Sequence, residues 1–593
     1  MTQSRSDATA TLPARSRLRK ALVARRPDFA WNPPPWLAVA AVAVAAAVHI
    51  WVAWGPAAIM LQSDEITMLA EAQAIARGGS SWELLSAGYM PGLAIVLAPL
   101  WWFSNDSTVV FHASLGVVVA LAMVSIIPLA AIARRFAMTR SAAVIIAALV
   151  VAAPSRALLS NYVFAEHLLL AVTAATFLAA LRYVDNPTRG RAVVLGVAGG
   201  STFLVHGRAV ALVAVVGVWL LVRTRRDGAS AWLAGTVMAG VSLASYALYR
   251  WAVGAVVSDD ARFDALSQGF SDRSVGEFVG TMVGQAWYVT AAWPAVAVVG
   301  IGLLIRRRRL NGAAMLVPAS LAATLLLAAI QLNPLADVDQ VARLDLWVYG
   351  RYLDHVVTVA VVVGIATMVR VKSRILVWFP LVMSGAVAAL FLVMTVPHMP
   401  VGGPYLHGHV TGIAHLLNDD YQYSDMSQPW VLLAAATVAI ALLVAVAGQI
   451  KDALILIFAL MWPLLSVATD ATHVDRTEAY LRNLRGIEAQ IDLLPEGSVV
   501  SYDGTGTRWY NFVVFYAHPH DVVLYEPAQG EDPVSDVVYG LTFSKDTAER
   551  GGMLIKDGYF PLAGLFVLPG DLYDELEREG RLDAPPWVVE EGE

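Results

Sequence analysis

Asp64 and Glu65 stand side by side in Ser63-Asp64-Glu65, just after the first long apolar run. Adjacent carboxylates suit a general base with its partner, or oxygen ligation of a divalent metal. The same dipeptide would also serve as a solvated helix N-cap. Glu166 and His167 form a second ionisable pair, about one turn inside a later apolar run (162–181). An ionisable pair at that depth points to function; an ion pair with Arg156 or Arg208 that only locks packing is the alternative. With Asp64 and Glu65 these residues could hold a metal, although no fixed spacing imposes one. Arg208 lies in the turn His206-Gly207-Arg208 between two short apolar arms. Arg351, Tyr352 and His355 cluster in the loop 332–355, and on a helix Arg351 and His355 would share a face. Arg and Tyr beside a helix start make a phosphate clamp, or plain interfacial anchors. His398, His407, His409 and His415 could hold zinc, or belong to a loop that receives an acceptor. Asp259-Asp260 reads as a solvated turn. Gly504-Thr505-Gly506 is too short for a nucleotide-binding fingerprint.

The elements that must position these residues are membrane helices. The 593 residues are 58% hydrophobic and 15% charged, with a mean hydropathy of +0.60. A soluble domain carries about 25% charged residues, so a purely soluble enzyme is excluded. A disordered chain is excluded too. The net charge of −6 leaves no nucleic-acid footprint, and the absence of cysteine removes disulfides and thiolate chemistry. Apolar runs of about 20 residues, or shorter ones ended by charges, predict thirteen transmembrane helices. They cover 36–57, 109–133, 141–159, 162–181, 192–206, 208–222, 231–250, 286–305, 312–331, 355–370, 375–396, 430–447 and 453–469. The basic segment 1–35 is too polar for a cleavable signal peptide.

Placing that segment in the cytoplasm and alternating gives inner segments 24 Lys+Arg and 5 Asp+Glu. The outer membrane-linking loops then hold 8 Lys+Arg and 18 Asp+Glu. This obeys the positive-inside rule and predicts a multi-pass protein of the cell (plasma) membrane. Each arm of 192–222 has about 15 residues and rises roughly 22 Å, against about 30 Å of hydrocarbon. The turn carrying Arg208 should therefore be recessed in a cavity. The first outer loop, 58–108, is expected to carry the catalytic groups under an interfacial helix from Leu93 to Phe103. Three domains follow: a basic tail 1–35, a transmembrane domain 36–469 and an exterior soluble domain 470–593. The last has a net charge of −15. In it Asp475 to Leu494, Tyr510 to Tyr516 and Asp571 to Glu579 read as helices. Ser498 to Asp503, Val522 to Tyr525 and Leu565 to Leu568 read as strands of a small α/β fold.

Taken together, the arrangement resembles the GT-C superfamily of integral-membrane glycosyltransferases, especially its protein O-mannosyltransferase and aminoarabinose-transferase group. The likeness lies in Asp64-Glu65 after the first helix and in Tyr89-Met90-Pro91-Gly92 leading into a juxtamembrane helix. It continues in Glu166 at the fourth helix, within Asn161-Tyr162-Val163-Phe164-Ala165-Glu166-His167, and in the basic turn at Arg208. It covers about residues 36–250 and the loop before the tenth helix. The helix count and exterior domain also look like oligosaccharyltransferase catalytic subunits, but the tail has no Trp-Trp-Asp-Tyr-Gly motif. That argues against transfer of a whole oligosaccharide to asparagine.

The resemblance implies a hexosyl- or pentosyltransferase that uses a polyprenyl-phosphate sugar. Asp64, with Glu65, would be the catalytic group, acting as base on an acceptor hydroxyl with inversion at C1. A phosphate leaving group needs positive charge, for which Arg208, Arg351 and Tyr352 are chosen. Tyr89, Glu166, His167 and His355 would support them. The acceptor would be a cell-wall glycan, a lipid or a protein; a divalent metal stays open, and no nucleic acid is expected. The excess of Arg over Lys and the Ala/Val bias suit a GC-rich bacterial genome. The rival class is a multi-pass transporter or flippase of a lipid-linked or envelope substrate. Carriers often repeat a broken helix in matching halves, and here the short pair occurs once.

Overall fold

The computed structural model describes residues 31–584 except 57–58, 60–61, 79–83, 85–87, 255, 257–273, 307–311, 333–342, 401–404, 418–427, 482–485, 506–509, 542–544 and 557–562. The basic tail, Asp259-Asp260 and Gly506 therefore lie outside the described residues. Helix α1 (Pro35–Trp54) opens on a proline at its first position, where the missing N–H costs nothing. The first loop carries α2 (Gln62–Arg77) and α3 (Gly92–Leu97), the latter continued by a tight turn over Ala98–Trp102. Trp102 and Phe103 are exposed at its end, as an interfacial anchor requires. Helices α4 (Ser107–Arg135) and α5 (Arg140–Val151) are capped by the Asp106 and Thr139 side chains.

Further on come α6 (Glu166–Asp185), α7 (Arg189–Val205), α8 (Val210–Asp227), α9 (Ala229–Gly254), α10 (Val275–Ala292), α11 (Val296–Arg306) and α12 (Leu316–Gln331). They are followed by α13 (Asp354–Arg370), α14 (Ile375–Met394), α15 (Trp430–Ala447) and α16 (Lys451–Leu481). Among the described residues nine helices are long and apolar enough to cross a membrane, or up to eleven if each of two bent pairs is one span. The chain is a multi-pass membrane protein. The expected count of thirteen thus becomes nine to eleven by length and composition. The remaining two runs fold as α7 and α13, of 17 residues each.

Four local expectations change. The run 141–159 is not one straight helix: α5 ends at Val151 and a short helical segment, Pro154–Asn161, follows at 67°. The run 286–305 is not one helix: α10 and α11 meet at 109° around Trp293-Pro294-Ala295, because a proline cannot continue the ladder it interrupts. The run 162–181 becomes helical only at Glu166, so Glu166 opens α6 instead of lying a turn inside it. The Val163 N–H is drawn off to the Glu65 carboxylate at 2.9 Å. Arg351 and His355 do not share a helix face, since α13 begins at Asp354 and Arg351 stands in the turn before it. The break at His206-Gly207-Arg208 appears as read from the sequence, with α7 ending at Val205 and α8 starting at Val210.

Helix α16 runs 31 residues without interruption out of the helical bundle towards the C-terminal region. There α17 (Gly486–Ile491), α18 (Tyr510–Ala517) and α19 (Asp571–Arg578) accompany six strands: β1 (Val499–Asp503), β2 (Asp521–Tyr525), β3 (Val537–Leu541), β4 (Met553–Ile555), β5 (Ala563–Val567) and β6 (Leu582–Asp583). The sheet order is β2-β1-β3-β5-β4-β6, parallel around β1 and antiparallel beyond β3. Strands β3, β4 and β6 escape the sequence reading. The sheet region docks on the first loop. Ile66, Leu69 and Trp101 share one core with Phe512 and Phe515, and Ser107 Oγ donates to the Phe515 carbonyl at 2.9 Å. Helix α2 is thereby held between the membrane helices and α18.

Helices α11 and α13 cross backbone to backbone at Gly300 and Gly364. A Cβ on Gly364 would lie 2.0 Å from the Val296 carbonyl oxygen, whereas one on Gly385 of α14 meets nothing within 4 Å. Close approach through small residues is a main source of helix association in lipid. Gly364→Ala is expected to lower stability by about 1–3 kcal/mol through overpacking, and Gly385→Ala to leave it unchanged. Thermal unfolding in detergent compares the two.

Candidate active site

Asp64 and Glu65 occupy the first turn of α2, where negative charge is favourable. Their side chains then part. Glu65 is fully buried and holds the Val163 N–H. Asp64 keeps 17% of its side chain exposed and meets Arg351, with Oδ2 2.5 Å from Nη1. Its other oxygen accepts a hydrogen bond from the Tyr89 hydroxyl. Tyr89 is itself anchored, because its backbone N–H donates to Glu71 Oε1 at 2.8 Å. Glu71 lies seven residues after Asp64, on the same side of α2. Burial alone would raise the Asp64 carboxyl; Arg351 and the Tyr89 hydroxyl outweigh it and hold the group down at about 2, from 3.8. Asp64 is therefore a carboxylate at every physiological pH.

Arg351 uses two edges of its guanidinium. Nη1 takes Asp64, and Nε donates to Glu166 Oε1 at 2.5 Å. Its flat face lies 3.7 Å from the Phe164 ring centroid, a cation–π contact. Arg208 Nη2 reaches the same Glu166 oxygen at 2.8 Å, and the guanidinium sits over the Tyr352 ring at 4.8 Å. Two turns thus converge on one carboxylate at the start of α6. Arg208, Glu166 and Arg351 are exposed by 3% or less. Arg208 Nε and Nη1, and Glu166 Oε2, have no hydrogen-bond partner among the described residues. A buried donor without a partner costs about 1–3 kcal/mol. Two on one arginine mark a place where an anion could complete the shell.

His167 belongs elsewhere. Its Nδ1 faces Arg156 Nη2 at 3.3 Å and its Nε2 faces Ser160 Oγ at 3.3 Å. Ser160 continues to His49, which ends on the Val151 carbonyl. His355 is buried near the start of α13, and no hydrogen bond joins its ring to Asp64 or Glu166. Asp64, Glu65, Glu166 and His167 therefore do not converge as a ligand set. Among the described residues no group of three or more His, Asp or Glu is placed to hold a metal ion. The later histidines also stay apart: His398 stacks on Trp347, while His409 pairs with Asp345.

No family model matches the chain, and no curated protein sequence matches it. Solved structures do. ArnT from Cupriavidus metallidurans, crystallised with undecaprenyl phosphate, aligns with a TM-score of 0.55 at 15% identity, covering 91% of this chain and 98% of that one. Its apo crystal structure aligns at 0.54 with 16% identity over the same shares. The chain therefore shares the fold of ArnT. Arabinosyltransferase EmbB from Mycobacterium smegmatis also aligns, at 0.42 and 14% identity, over 77% of this chain and 43% of that one.

The site also contains residues that the sequence reading passed over. Glu71 sets Tyr89, and its signal was the one charge in the stretch Met68 to Ala76. Phe164 supports Arg351, and nothing in its local sequence announces that. Asp354 opens α13 and accepts from Tyr288 Oη at 2.9 Å and Trp293 Nε1 at 3.3 Å. It ties the turn carrying Arg351 to the bend between α10 and α11.

Glu166→Gln leaves two buried guanidiniums without their shared counter-charge. Removing one partner of a buried ion pair costs about 3–5 kcal/mol, so this variant should unfold at clearly lower temperature in detergent. Asp64 adds a pH signature. Its pKa is lower in the folded protein, so its stabilising share is complete above 3.8 and is lost as pH falls through about 2. The stability gap between wild type and Asp64→Asn should stay constant from neutral pH to about 4 and close only below that.

Proposed function

We propose that this protein is a glycosyltransferase that moves a sugar from a polyprenyl-phosphate donor to a hydroxyl of a glycan, lipid or protein, on the exterior face of the cell membrane. The observation that carries this reading is a connected cluster in which two buried arginines share Glu166 and one of them, Arg351, also holds an ionised Asp64, with Nε and Nη1 of Arg208 left without partners among the described residues. The undecaprenyl phosphate bound to ArnT supports a lipid-phosphate donor. So does an apolar groove of about 570 Å³ between α8 and α12. It begins at Val210, two residues after Arg208, and runs past Ala214, Val218 and Trp219, faced by Leu326 and Ile330. Over those residues α8 rises about 14 Å. A prenyl chain laid there exchanges lipid contacts for side-chain packing, with its phosphate at Arg208. The outward orientation rests on the charge distribution, which gives the segment after residue 469 a net charge of −15.

In the chemistry that follows, the donor phosphate takes the open edge of Arg208 and competes with Asp64 for Arg351. Once Arg351 turns to the phosphate, Asp64 loses the neighbour that keeps its basicity low. The Tyr89 hydroxyl still fixes its position. The carboxylate then orients the acceptor hydroxyl and draws on its proton while the oxygen attacks C1. The bond from C1 to the phosphate oxygen breaks, its electron pair goes to the phosphate, and Arg208 and Arg351 stabilise the charge that develops there. Attack opposite the leaving group inverts C1. Glu166 keeps both guanidiniums aimed, and Tyr352 packs the face of Arg208.

A transfer assay with a panel of polyprenyl-phosphate sugars tests the reading. Asp64→Asn should fold and lose about 10²–10⁴-fold in kcat. Arg208→Lys and Arg351→Lys should raise donor KM or lower kcat, because an ammonium cannot reproduce the bidentate fork. Unchanged donor saturation in both folded variants would remove the phosphate clamp.

The groove makes a separate forecast. Ala214→Trp, on its wall, should impair long-chain donors and spare a short-chain analogue with the same sugar phosphate. Equal effects on both would take the groove out of donor binding.

A further inference from the structure

A second buried ion pair lies beside the site, in the loops before α13 and after α14. Asp345 is fully buried, receives Arg343 through Nη2 at 2.6 Å and Nε at 3.2 Å, and meets His409 Nδ1 at 2.6 Å. Burial raises the Asp345 carboxyl, but Arg343 and the His409 contact bring it below its ordinary value, so it is ionised. An ionised acceptor requires the proton of that short contact to sit on Nδ1. Arg343 Nη2 also comes within 3.0 Å of Nδ1; both donate to the same carboxylate oxygen, and their closeness follows from that convergence. Nε2 of the neutral ring therefore carries the lone pair, and it has no hydrogen-bond partner among the described residues.

His409 rides on the turn that presents Arg351. Its carbonyl accepts the N–H of Gly350 at 3.0 Å and of Arg351 at 3.3 Å, and its ring lies 4.3 Å from that of Tyr349. The charged and titratable groups around it are Arg343, Asp345, Tyr349, Arg351 and Asp64, and a charge on His409 acts directly on Asp64. Burial lowers the proton affinity of the ring below the usual 6.5, Asp345 opposes this, and Arg343 and Arg351 add to it. The ring is neutral at pH 7 and can accept a proton. Asp64, held far lower, can take one from the acceptor only in passing.

We propose that His409 is the second acid–base group of the site, its Nε2 receiving the proton that leaves the acceptor hydroxyl, with Asp345 as the positioning residue that fixes the receptive tautomer. The inference rests on the glycosyltransferase reading. The acceptor oxygen bonds to C1, the electron pair of the C1–O bond leaves with the phosphate, and the proton drawn off by Asp64 comes to rest on Nε2. The imidazolium so formed is a third positive charge beside the departing phosphate, added only as that charge develops.

The test is the pH dependence of transfer for wild type, His409→Gln, Asp345→Asn and Asp64→Asn. Wild-type kcat/KM should show an acid limb below pH 6.5, where His409 protonates in advance. His409→Gln should lose the limb and about 10²-fold in kcat at neutral pH, with donor KM kept. Asp345→Asn retains the ring but not the carboxylate that raises its proton affinity, so its limb should move to lower pH. A His409→Gln enzyme with the wild-type limb and kcat overturns the proposal, as does one changed only in donor KM. Should His409→Gln fail to fold, the limb of Asp345→Asn decides, and an unshifted one overturns the proposal. An active wild type with an inactive Asp64→Asn confines such a failure to His409. A wild type inert with every donor overturns the glycosyltransferase reading itself.

Discussion

Glu166 is a buried carboxylate whose single oxygen carries two guanidiniums, and the geometry around the site follows from that constraint. Neither arginine could stay buried without it, because an isolated charge taken from water costs several kcal/mol. The shared counter-ion brings the turn between α7 and α8 against the turn before α13. It also requires α6 to begin late, so that Glu166 sits at a helix start, where partial positive charge from the backbone adds to that of the arginines. One carboxylate serving two arginines leaves spare donor capacity on Arg208. Arg351 balances its second edge with Asp64.

The supporting contacts are mostly to backbone. Glu65 holds Val163 and so delays α6. Glu71 holds Tyr89, and the His409 carbonyl holds the Arg351 turn. Loops that would otherwise be free to move are each fixed by a side chain from a distant segment. That is how groups can be aligned on flexible connections. The C-terminal sheet belongs to the same support. Through α18 it packs on α2 and Trp101, so the helix carrying Asp64 is braced from the side away from the arginines.

Membrane embedding shapes the chemistry. Arg208 sits in the turn between α7 and α8, buried where water is scarce and charge interactions are strong. An apolar groove starts at Val210, two residues after Arg208. An apolar groove, buried cations and an ionised carboxylate thus lie close together in one fold.

Much of this was legible in the sequence because the signals are local. Hydropathy locates the helical bundle, and the break at His206-Gly207-Arg208 falls where the sequence placed it. Pro294 could have been read as a bend, yet its 109° turn needed the neighbouring helices to define it. Asp64, Glu166, Arg208 and Arg351 could be singled out as charges in apolar surroundings, which is a property of each residue and its neighbours. Their pairing could not. Arg208 and Glu166 are 42 residues apart, Arg351 and Glu166 are 185, and Arg351 and Asp64 are 287. Which charges meet depends on how helices are rotated about their axes and packed, and local periodicity carries no record of that. Asp64 and Glu65 show the limit most clearly. They are alike and adjacent, and only the packing of α2 sent one to an arginine in the site and the other to a backbone amide in the core.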